Sequence, residues 1–286
     1  MKLALGTVQF GLDYGVANAE GQVAIEDAAE IIDHSRKCGI DTLDTAIGYG
    51  DSEERLGKIG IDGFRVITKL PGLSKHDVDI EKWIIGHIEG SLARLKVETI
   101  NGVMLHRPTD LLGDNGKKLW DGLKKLKANG CVEKIGYSIY EPGELDLLWK
   151  DYQPDIIQAP YNILDQRLKV SGWLKLLHDL GVEVHVRSVF LQGLLLMPKE
   201  RRPIKFQRWQ GLWNVWDHWL ESEQLDPVDV CLKSIASEPM IDYAVVGVDS
   251  KTHLKQIVKK MNNPAEIDVP VDLNTTDECL VNPALW

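Results

Sequence analysis

Four side chains of this sequence form a set that could donate a proton to an oxygen atom. They are Asp44, Tyr49, Lys69 and His106, and all but Tyr49 come at or directly after the end of a short apolar run. A phenol ionises near pH 10, so a tyrosine alone is a weak acid at neutral pH. A nearby ammonium stabilises the phenolate and lowers the pKa of the phenol. We expect Lys69 to supply this ammonium, Asp44 to keep Lys69 charged, and His106 to hydrogen-bond the oxygen that receives the proton.

Each of the four side chains also has an ordinary structural interpretation. Asp44 could cap the turn that follows its strand, and Tyr49 could be a loop aromatic. Lys69 could be a solvated strand end, and His106 could be a hydrogen-bonded core histidine. Taken singly, none of them identifies a site. Their shared position at the ends of the second, third and fourth predicted strands favours a common function.

The sequence alternates between short apolar runs and longer amphipathic stretches. Apolar runs of this length are typical of buried parallel strands. The predicted strands are 3–7, 41–44, 65–69, 101–105, 132–137, 155–159, 182–187 and 242–246. The predicted helices are 24–37, 52–59, 79–96, 115–128, 142–150, 169–180, 209–221 with 227–237, and 250–261.

Eight strand-then-helix units in series predict a closed parallel barrel rather than an open sheet. An open doubly wound sheet usually has a glycine-rich fingerprint after its first strand, but residues 6–11 read GTVQFG. The predicted fold class is α/β, a (β/α)₈ TIM barrel in a single domain spanning 1–286, with 262–286 as a C-terminal tail packed outside the barrel. Functional side chains of such barrels lie at the carboxyl ends of the strands, which would bring the four residues together.

Composition and charge exclude several classes of partner. The formal net charge of −10 argues against nucleic acid and against a membrane surface, since both are anionic. No run approaches the roughly 18 apolar residues of a membrane span, and no signal peptide is evident at the N-terminus. The cysteines are far apart, which favours reduced thiols in a cytoplasmic protein over disulfides or a metal site; they are Cys38, Cys131, Cys231 and Cys279.

Two features leave alternatives open. The basic stretch 198–207 follows the seventh predicted strand, and it could be a solvated loop or a lid over a cofactor or substrate. Tryptophans recur at helical spacing after it, and their indoles could line a pocket or form one buried helix face; they are Trp209, Trp213, Trp216 and Trp219. Spacings of three and four favour the buried face.

The segment 43–53, LDTAIGYGDSE, is similar to the D-T-A-x-x-Y-G-x-[SE]-E signature of the aldo-keto reductases. Lys69 and His106 fall where that family places the other members of its catalytic tetrad. The resemblance continues through 135–138 (IGYS), 158–162 (QAPYN), 191–195 (LQGLL) and 246–254 (VGVDSKTHL), and so covers nearly the whole chain. It implies a (β/α)₈ barrel and NAD(P)H-dependent reduction of an aldehyde, a ketone or possibly a sugar, with Tyr49 as the proton donor.

The same resemblance implies residues that hold the nicotinamide end of the cofactor. Ser138 and Gln158 would bind the nicotinamide carboxamide. Arg187 stands where the family usually offers an aromatic ring to the nicotinamide. A guanidinium plane can stack on an aromatic ring, so we expect Arg187 to lie against the nicotinamide or to reach an acidic group of the substrate. The structural alternative is an ion pair with a neighbouring carboxylate.

The adenosine end of the cofactor would lie after the eighth strand. Contacts are implied from Gly247, Ser250 and Lys251, and the family often has Arg or Lys here to meet the adenosine 2′-phosphate. Asp249 would repel that phosphate, whereas Ser250 and Lys251 could bind it at a helix N-terminus. The expected cofactor is therefore NADPH, with NADH possible.

The expected partner is a small-molecule carbonyl substrate, and the candidates to line its pocket are Phe10, Tyr14, Arg107 and Trp209. Two other functions fit the same barrel. One is a nicotinamide-binding regulatory protein without physiological turnover, although such a protein needs no proton donor. The other is a lyase or isomerase that uses no nicotinamide.

Overall fold

Short runs of β-branched and apolar residues form eight parallel strands, each hydrogen-bonded to the next, with the eighth paired to the first in a closed barrel. The computed structural model describes residues 1–18, 20–74, 79–261 and 267–286. The strands are β1 (Lys2–Gly6), β2 (Thr42–Asp44), β3 (Arg65–Leu70), β4 (Ile100–Leu105), β5 (Val132–Ser138), β6 (Ile156–Pro160), β7 (Glu183–Arg187) and β8 (Tyr243–Gly247). This confirms the predicted fold class, a single-domain (β/α)₈ TIM barrel.

Amphipathic segments between the strands form the helices that cover the barrel. They are α1 (Val8–Gly11), α2 (Ile25–Lys37), α3 (Ser52–Ile59), α4 (Ile80–Leu95), α5 (Gly116–Ala128), α6 (Gly143–Leu148), α7 (Arg167–Val170), α8 (Trp173–Asp179), α9 (Gln210–Ser222), α10 (Pro227–Ala236), α11 (Lys251–Met261) and α12 (Glu278–Val281). Short 3₁₀ turns occur at Pro108–Leu112, Leu191–Leu196, Lys199–Arg201, Ile204–Trp209, Val271–Leu273 and Pro283–Leu285.

The helix predicted at 169–180 forms as two helices, α7 and α8. The chain breaks between them at Gly172, whose φ of 83° lies in the left-handed region that glycine adopts without strain. The predicted strand and helix positions otherwise agree with the observed elements within a few residues, apart from the four-residue helices α1 and α12, which the periodicity did not indicate.

Strand alternation stacks side chains in layers inside the barrel. On β3, Arg65, Ile67 and Lys69 are two residues apart and therefore share the inward face. Ile67 packs with Met104 and Ile156 in an apolar cluster inside the barrel. Lys69 lies one layer nearer to the carboxyl ends of the strands. The apolar middle layer thus supports a polar layer at the barrel mouth.

A second polar layer closes the opposite end of the barrel. The Glu183 carboxylate accepts hydrogen bonds from the Lys134 ammonium at 2.5 Å and from the Arg65 guanidinium at 3.4 Å. The His185 ring lies 2.9 Å from the same carboxylate. Arg65 also donates to the Tyr243 hydroxyl at 2.6 Å. These contacts are typical of a structural network, because they lie at the end of the barrel where the strands begin.

The tryptophan face of α9 is buried. Trp213, Trp216 and Trp219 are at most 8% exposed, as their helical spacing indicates. The tail predicted for 262–286 lies outside the described residues at 262–266, and the rest packs on the barrel. The Thr275 backbone N–H donates to the Leu164 carbonyl at 2.9 Å, and the Trp286 ring lies 4.8 Å from that of Phe206.

Within the described ranges, no helix combines the length and the apolar content needed to cross a membrane. The same ranges contain no group of three or more His, Cys, Asp or Glu side chains arranged to hold a metal ion.

Candidate active site

The four proton-transfer candidates meet at the carboxyl ends of neighbouring strands. Asp44 is the last residue of β2, Lys69 is next to last in β3, and His106 directly follows β4. Tyr49 lies in the loop between β2 and α3. In the strand register Asp44 is opposite Ile67, so Lys69 lies two residues further along and on the same face. Parallel pairing therefore brings the four side chains to one end of the barrel.

Lys69 and Asp44 form a buried ion pair. The Lys69 Nζ lies 2.7 Å from Asp44 Oδ1 and 2.8 Å from Oδ2, and it also donates to the Thr45 carbonyl at 3.1 Å. Lys69 is 0% exposed and Asp44 is 3% exposed. Burial lowers the pKa of Lys69, and the charge and hydrogen bond of Asp44 oppose that change. Asp44 is thus the group that keeps a buried ammonium charged.

The Tyr49 hydroxyl lies 3.5 Å from the same ammonium, and its ring centroid lies 5.8 Å from that of His106 in an edge-on arrangement. Burial and the Asp44 charge raise the pKa of Tyr49, and Arg187 opposes the rise. This differs from the expectation that Lys69 lowers the pKa. The physical reason is that burial disfavours the charged phenolate, and the negative charge of the nearby Asp44 carboxylate adds to this effect.

His106 is held in its neutral form. Burial lowers its pKa to about 4, and the positive charges of Lys69 and Arg187 act in the same direction. A neutral imidazole has one N–H donor and one acceptor nitrogen. At neutral pH His106 can therefore donate one hydrogen bond to a substrate oxygen without adding a charge to the site.

The remaining residues of the 43–53 segment fix the loop that carries Tyr49. The buried Glu53 carboxylate accepts hydrogen bonds from Thr68 at 2.6 Å, Ser91 at 3.0 Å and Arg94 at 2.8 Å. The Ser52 hydroxyl donates to the Thr7 carbonyl at 2.9 Å. These bonds connect α3 to β1, β3 and α4. The segment therefore combines the candidate proton donor Tyr49 with the contacts that hold its loop in place.

Gln158 and Ser138 are neighbours at the barrel mouth. They are register partners on β5 and β6, and both are buried. The Gln158 side-chain amide donates to Asp44 Oδ2 at 2.7 Å, and the Ser138 hydroxyl donates to Gln158 Oε1 at 3.4 Å. The two residues expected to bind the nicotinamide are thus already connected to the Asp44–Lys69 pair.

Arg187 lies at the end of β7 with its guanidinium over the Tyr140 ring, 4.6 Å from the centroid. It donates to the Ile139 carbonyl at 3.0 Å and to the Ser188 hydroxyl at 3.4 Å. No carboxylate of the described residues forms an ion pair with it. A guanidinium has five N–H donors, so Arg187 retains hydrogen-bonding capacity toward the cavity that it lines.

A cavity of about 460 Å³ opens at this end of the barrel. It extends from Asp44 and Tyr49 to the loop after β8, and its walls also include Gln158, Arg187, Gly247, Asp249 and His253. The loops after β1 and β7 meet beside it, where the Gln192 amide donates to the Tyr14 hydroxyl at 3.0 Å. Its volume is within the range of small-molecule and cofactor sites.

The far end of the cavity holds two buried oxygen atoms that have no hydrogen-bond partner among the described residues. They are Gln9 Oε1 and Asp249 Oδ1. Gly247 lies against Gln9, and a Cβ at this position would be 2.3 Å from Gln9 Nε2. Buried polar atoms are almost always hydrogen-bonded. The two unpartnered acceptors on this cavity wall could therefore accept hydrogen bonds from a bound molecule.

Ser250 and Lys251 do not line the cavity. The Lys251 ammonium lies 3.3 Å from the Glu30 carboxylate on α2. The Ser250 hydroxyl accepts a hydrogen bond from the His253 backbone N–H at 3.2 Å. Both side chains are thus engaged at the start of α11 and not on the cavity wall.

Of the four substrate-pocket candidates, Tyr14 lines the cavity and three lie elsewhere. Phe10 is 0% exposed in the hydrophobic core. Arg107 donates to the Asp110 carboxylate at 2.7 Å and to the Leu73 carbonyl. Trp209 donates to the Asp277 carboxylate of the C-terminal tail at 2.8 Å.

Several cavity residues were not among the sequence candidates. They are Gln9, Gln192, Arg201 and His253. Gln9 follows β1 by three residues, so the rule that strand ends carry functional groups could have found it. Arg201 lies in the basic stretch 198–207, for which the sequence left open a lid over a cofactor or substrate. Gln192 and His253 lie in the segments 191–195 and 246–254 that resemble the family.

The comparisons with known proteins agree with this geometry. The model of the aldo/keto reductase family matches residues 2–276. The chain is 27% identical over 215 residues to the NADH-specific methylglyoxal reductase of Escherichia coli strain K12, a match covering 68% of this chain and 65% of that protein. It is 26% identical over 182 residues to the glyoxal reductase of Bacillus subtilis strain 168, covering 59% of this chain and 60% of that protein. The matches thus span less than two thirds of the length of each relative.

A solved structure has the same fold. The holo form of an aldo-keto reductase from Bacillus halodurans superposes with a TM-score of 0.74 at 21% sequence identity, covering 100% of this chain and 93% of that one. The family model covers nearly all of the sequence, and the barrel carries the signature residues at its mouth. The chain therefore belongs to the aldo-keto reductase family.

Proposed function

We propose that this protein reduces the carbonyl group of a small aldehyde or ketone to an alcohol, using a nicotinamide dinucleotide as the hydride source and Tyr49 as the proton donor. The observation that carries this proposal is the position of the Tyr49 hydroxyl, 3.5 Å from the buried Lys69 ammonium and on the wall of the cavity. Family membership supports the same reaction class.

The cavity fits such a cofactor. Gln158 and Arg187 would hold the nicotinamide end, and Gln9 and Asp249 offer unpartnered acceptors to the other end. Arg201, a cation on the cavity wall, suits the pyrophosphate between the ends. When bound, the reduced nicotinamide supplies a hydride to the carbonyl carbon.

Proton transfer follows from the protonation state of Tyr49. Its raised pKa keeps the phenol protonated over the physiological pH range. A carbonyl oxygen that gains a full negative charge is a stronger base than a phenolate, so Tyr49 gives its proton to that oxygen when the carbonyl is reduced. The Lys69 ammonium then faces the phenolate and stabilises it. The reaction thus adds one hydride to the carbonyl carbon and one proton to the carbonyl oxygen.

His106 and Asp44 assist this proton transfer in different ways. Neutral His106 can donate a hydrogen bond to the carbonyl oxygen and so fix its position next to Tyr49. Asp44 keeps Lys69 protonated in a site where burial favours the neutral amine. Neither residue needs to change its protonation state during the reaction.

Small dicarbonyl compounds are the first substrates to test, because the names of the two relatives above refer to methylglyoxal and glyoxal. The purified chain is incubated with each aldehyde and with NADH or NADPH, and oxidation of the nucleotide is followed by absorbance. We expect turnover in the native protein and its loss in Tyr49→Phe. Nucleotide binding without turnover of any carbonyl would favour the regulatory alternative, and absence of nucleotide binding would favour a lyase or isomerase.

A further inference from the structure

We infer that the loop after β8 is a binding site for the adenosine ribose diol, with Asp249 as the acceptor, and that it selects NADH over NADPH. This inference rests on the proposed function, since it concerns the far end of the same cavity. It departs from the sequence expectation of NADPH, which depended on Ser250 and Lys251.

The hydrogen-bonding capacity of the far end favours a ligand that donates. Asp249 Oδ1 and Gln9 Oε1 are buried acceptors without partners among the described residues. A ribose 2′-hydroxyl has an O–H to donate to a carboxylate. A 2′-phosphate is close to doubly ionised at neutral pH and offers acceptor oxygens only. The hydroxyl therefore satisfies an acceptor that the phosphate leaves unpaired.

The charges near Asp249 also favour a ribose 2′-hydroxyl over a 2′-phosphate. Burial raises the pKa of Asp249, and Glu20 contributes to the rise, which places a second acidic group near this carboxylate. His253 opposes that rise, with its Nδ1 3.9 Å from Asp249 Oδ2. Like charges placed next to each other in a binding site disfavour association. A phosphate dianion at Asp249 would meet this repulsion, and a neutral hydroxyl would not.

The lysine and arginine side chains near the loop after β8 do not reverse the preference for NADH. Lys251 is engaged with Glu30 and does not line the cavity. The two arginines that do line it, Arg187 and Arg201, lie at the end of β7 and in the loop after it. Both cofactors contain the same nicotinamide and the same pyrophosphate, so these arginines would contribute to the binding of either one.

The test is calorimetric titration with ADP-ribose and with 2′-phospho-ADP-ribose, which carry the adenosine end of each cofactor and no nicotinamide. We expect the native protein to bind ADP-ribose about tenfold or more tightly than its 2′-phosphate. Asp249→Asn keeps the shape of the side chain and removes its charge, so it should reduce this ratio, chiefly by tightening the 2′-phosphate. Asp249→Ser is a second variant with the same expectation. Lys251→Ala is the matched control and should leave the ratio unchanged.

Three results would overturn the inference. The native protein could bind the 2′-phosphate more tightly, Asp249→Asn could weaken or strengthen both ligands equally, or Lys251→Ala could weaken only the 2′-phosphate. The same preparations are assayed with glyoxal and both reduced nucleotides. If carbonyl reduction proceeds with a preference for NADPH, the proposed reductase function stands and the inference that Asp249 selects NADH is wrong. If neither ADP-ribose ligand binds and no carbonyl is reduced, both are wrong.

Discussion

Gln158 on β6 donates a 2.7 Å hydrogen bond to the carboxylate of Asp44 on β2, across the mouth of the barrel. Lys69 contacts the same carboxylate from β3, so strands on different sides of the barrel fix one acid group. Gln158, which the family resemblance implies binds the nicotinamide, is thereby hydrogen-bonded to the carboxylate that holds the Lys69 ammonium in place. A change at Gln158 should for this reason affect the chemistry as well as nucleotide binding.

Replacing Gln158 with leucine removes the donor to Asp44 Oδ2 at nearly the same side-chain volume. A hydrogen bond to a charged group contributes about 1.5–3 kcal/mol, so we expect kcat to fall about tenfold or more. The KM for the nucleotide should rise as well. Steady-state kinetics measure both constants. Gln210→Leu, at an exposed position of α9, is the control, and equal effects of the two variants would show that Gln158 has no specific role.

Tyr49→Phe removes only the hydroxyl. General acid catalysis contributes roughly 10²–10⁴-fold, and we expect kcat/KM for carbonyl reduction to fall by that factor. Nucleotide binding, followed by tryptophan fluorescence, should be retained, because the ring stays in place. Turnover near that of the native protein would mean that another group supplies the proton.

The depressed pKa of His106 predicts a simple pH profile. The ring is neutral from neutral pH down to about pH 4, where it gains a proton. The rate of carbonyl reduction, measured as kcat/KM, should therefore show no ionisation near pH 6.5, the ordinary value for histidine. A decline centred near pH 6.5 that disappears in His106→Gln would contradict the assignment of a neutral imidazole.

Arg187 is a cation on the cavity wall without an ion-pair partner among the described residues. At the nicotinamide end of the proposed cofactor site it would also lie beside the substrate, so we expect it to recognise an acidic group there. Glyoxal and glyoxylate are a matched pair that differ by one carboxylate. Arg187→Lys keeps the charge but loses the planar fork, and it should raise the KM for glyoxylate about tenfold while changing that for glyoxal little. A rise in the KM of the nucleotide alone would place Arg187 at the cofactor. Unchanged constants would make it structural.

The polar layer at the closed end of the barrel predicts a dependence of stability on pH. Burial alone would raise the pKa of Glu183, but bonds from His185 and Lys134 and the charge of Arg65 outweigh it and lower the pKa to about 2 from 4.5. The folded state therefore gains stability above about pH 4.5, and this gain is lost as the pH falls from 4.5 toward 2.

Glu183→Gln should then reduce the free energy of unfolding at pH 7 by on the order of 3 kcal/mol, because three basic groups lose their partner. The difference in free energy of unfolding between this variant and the native protein should shrink as the pH falls from 4.5 toward 2. Urea unfolding at several pH values measures it. Glu133→Gln, at an exposed position of β5, is the control. A difference that stays constant down to pH 2 would show that the charge of Glu183 is not the cause.

The strands, the barrel and the shared position of Asp44, Tyr49, Lys69 and His106 at its mouth could be predicted from the sequence, because these features are encoded locally. An apolar run that ends in Asp44 or Lys69 specifies both a strand and the residue at its carboxyl end. The parallel order of the strands then brings these ends together. Of the residues implied by the resemblance, Gln158, Arg187 and Gly247 lie on the cavity wall, whereas Ser138, which is also a strand residue, does not line it.

The loops and the ion pairs were decided by the tertiary structure. Phe10 and Arg107 follow strands as Tyr14 does, yet only Tyr14 lines the cavity. Lys251 turns to Glu30, a residue 221 positions away, and not to the cavity. The pKa of Tyr49 depends on its burial and on how close the Asp44 carboxylate lies to it. Side-chain direction in a loop, burial and distances between charges are set by contacts remote in sequence, so no local pattern contains them.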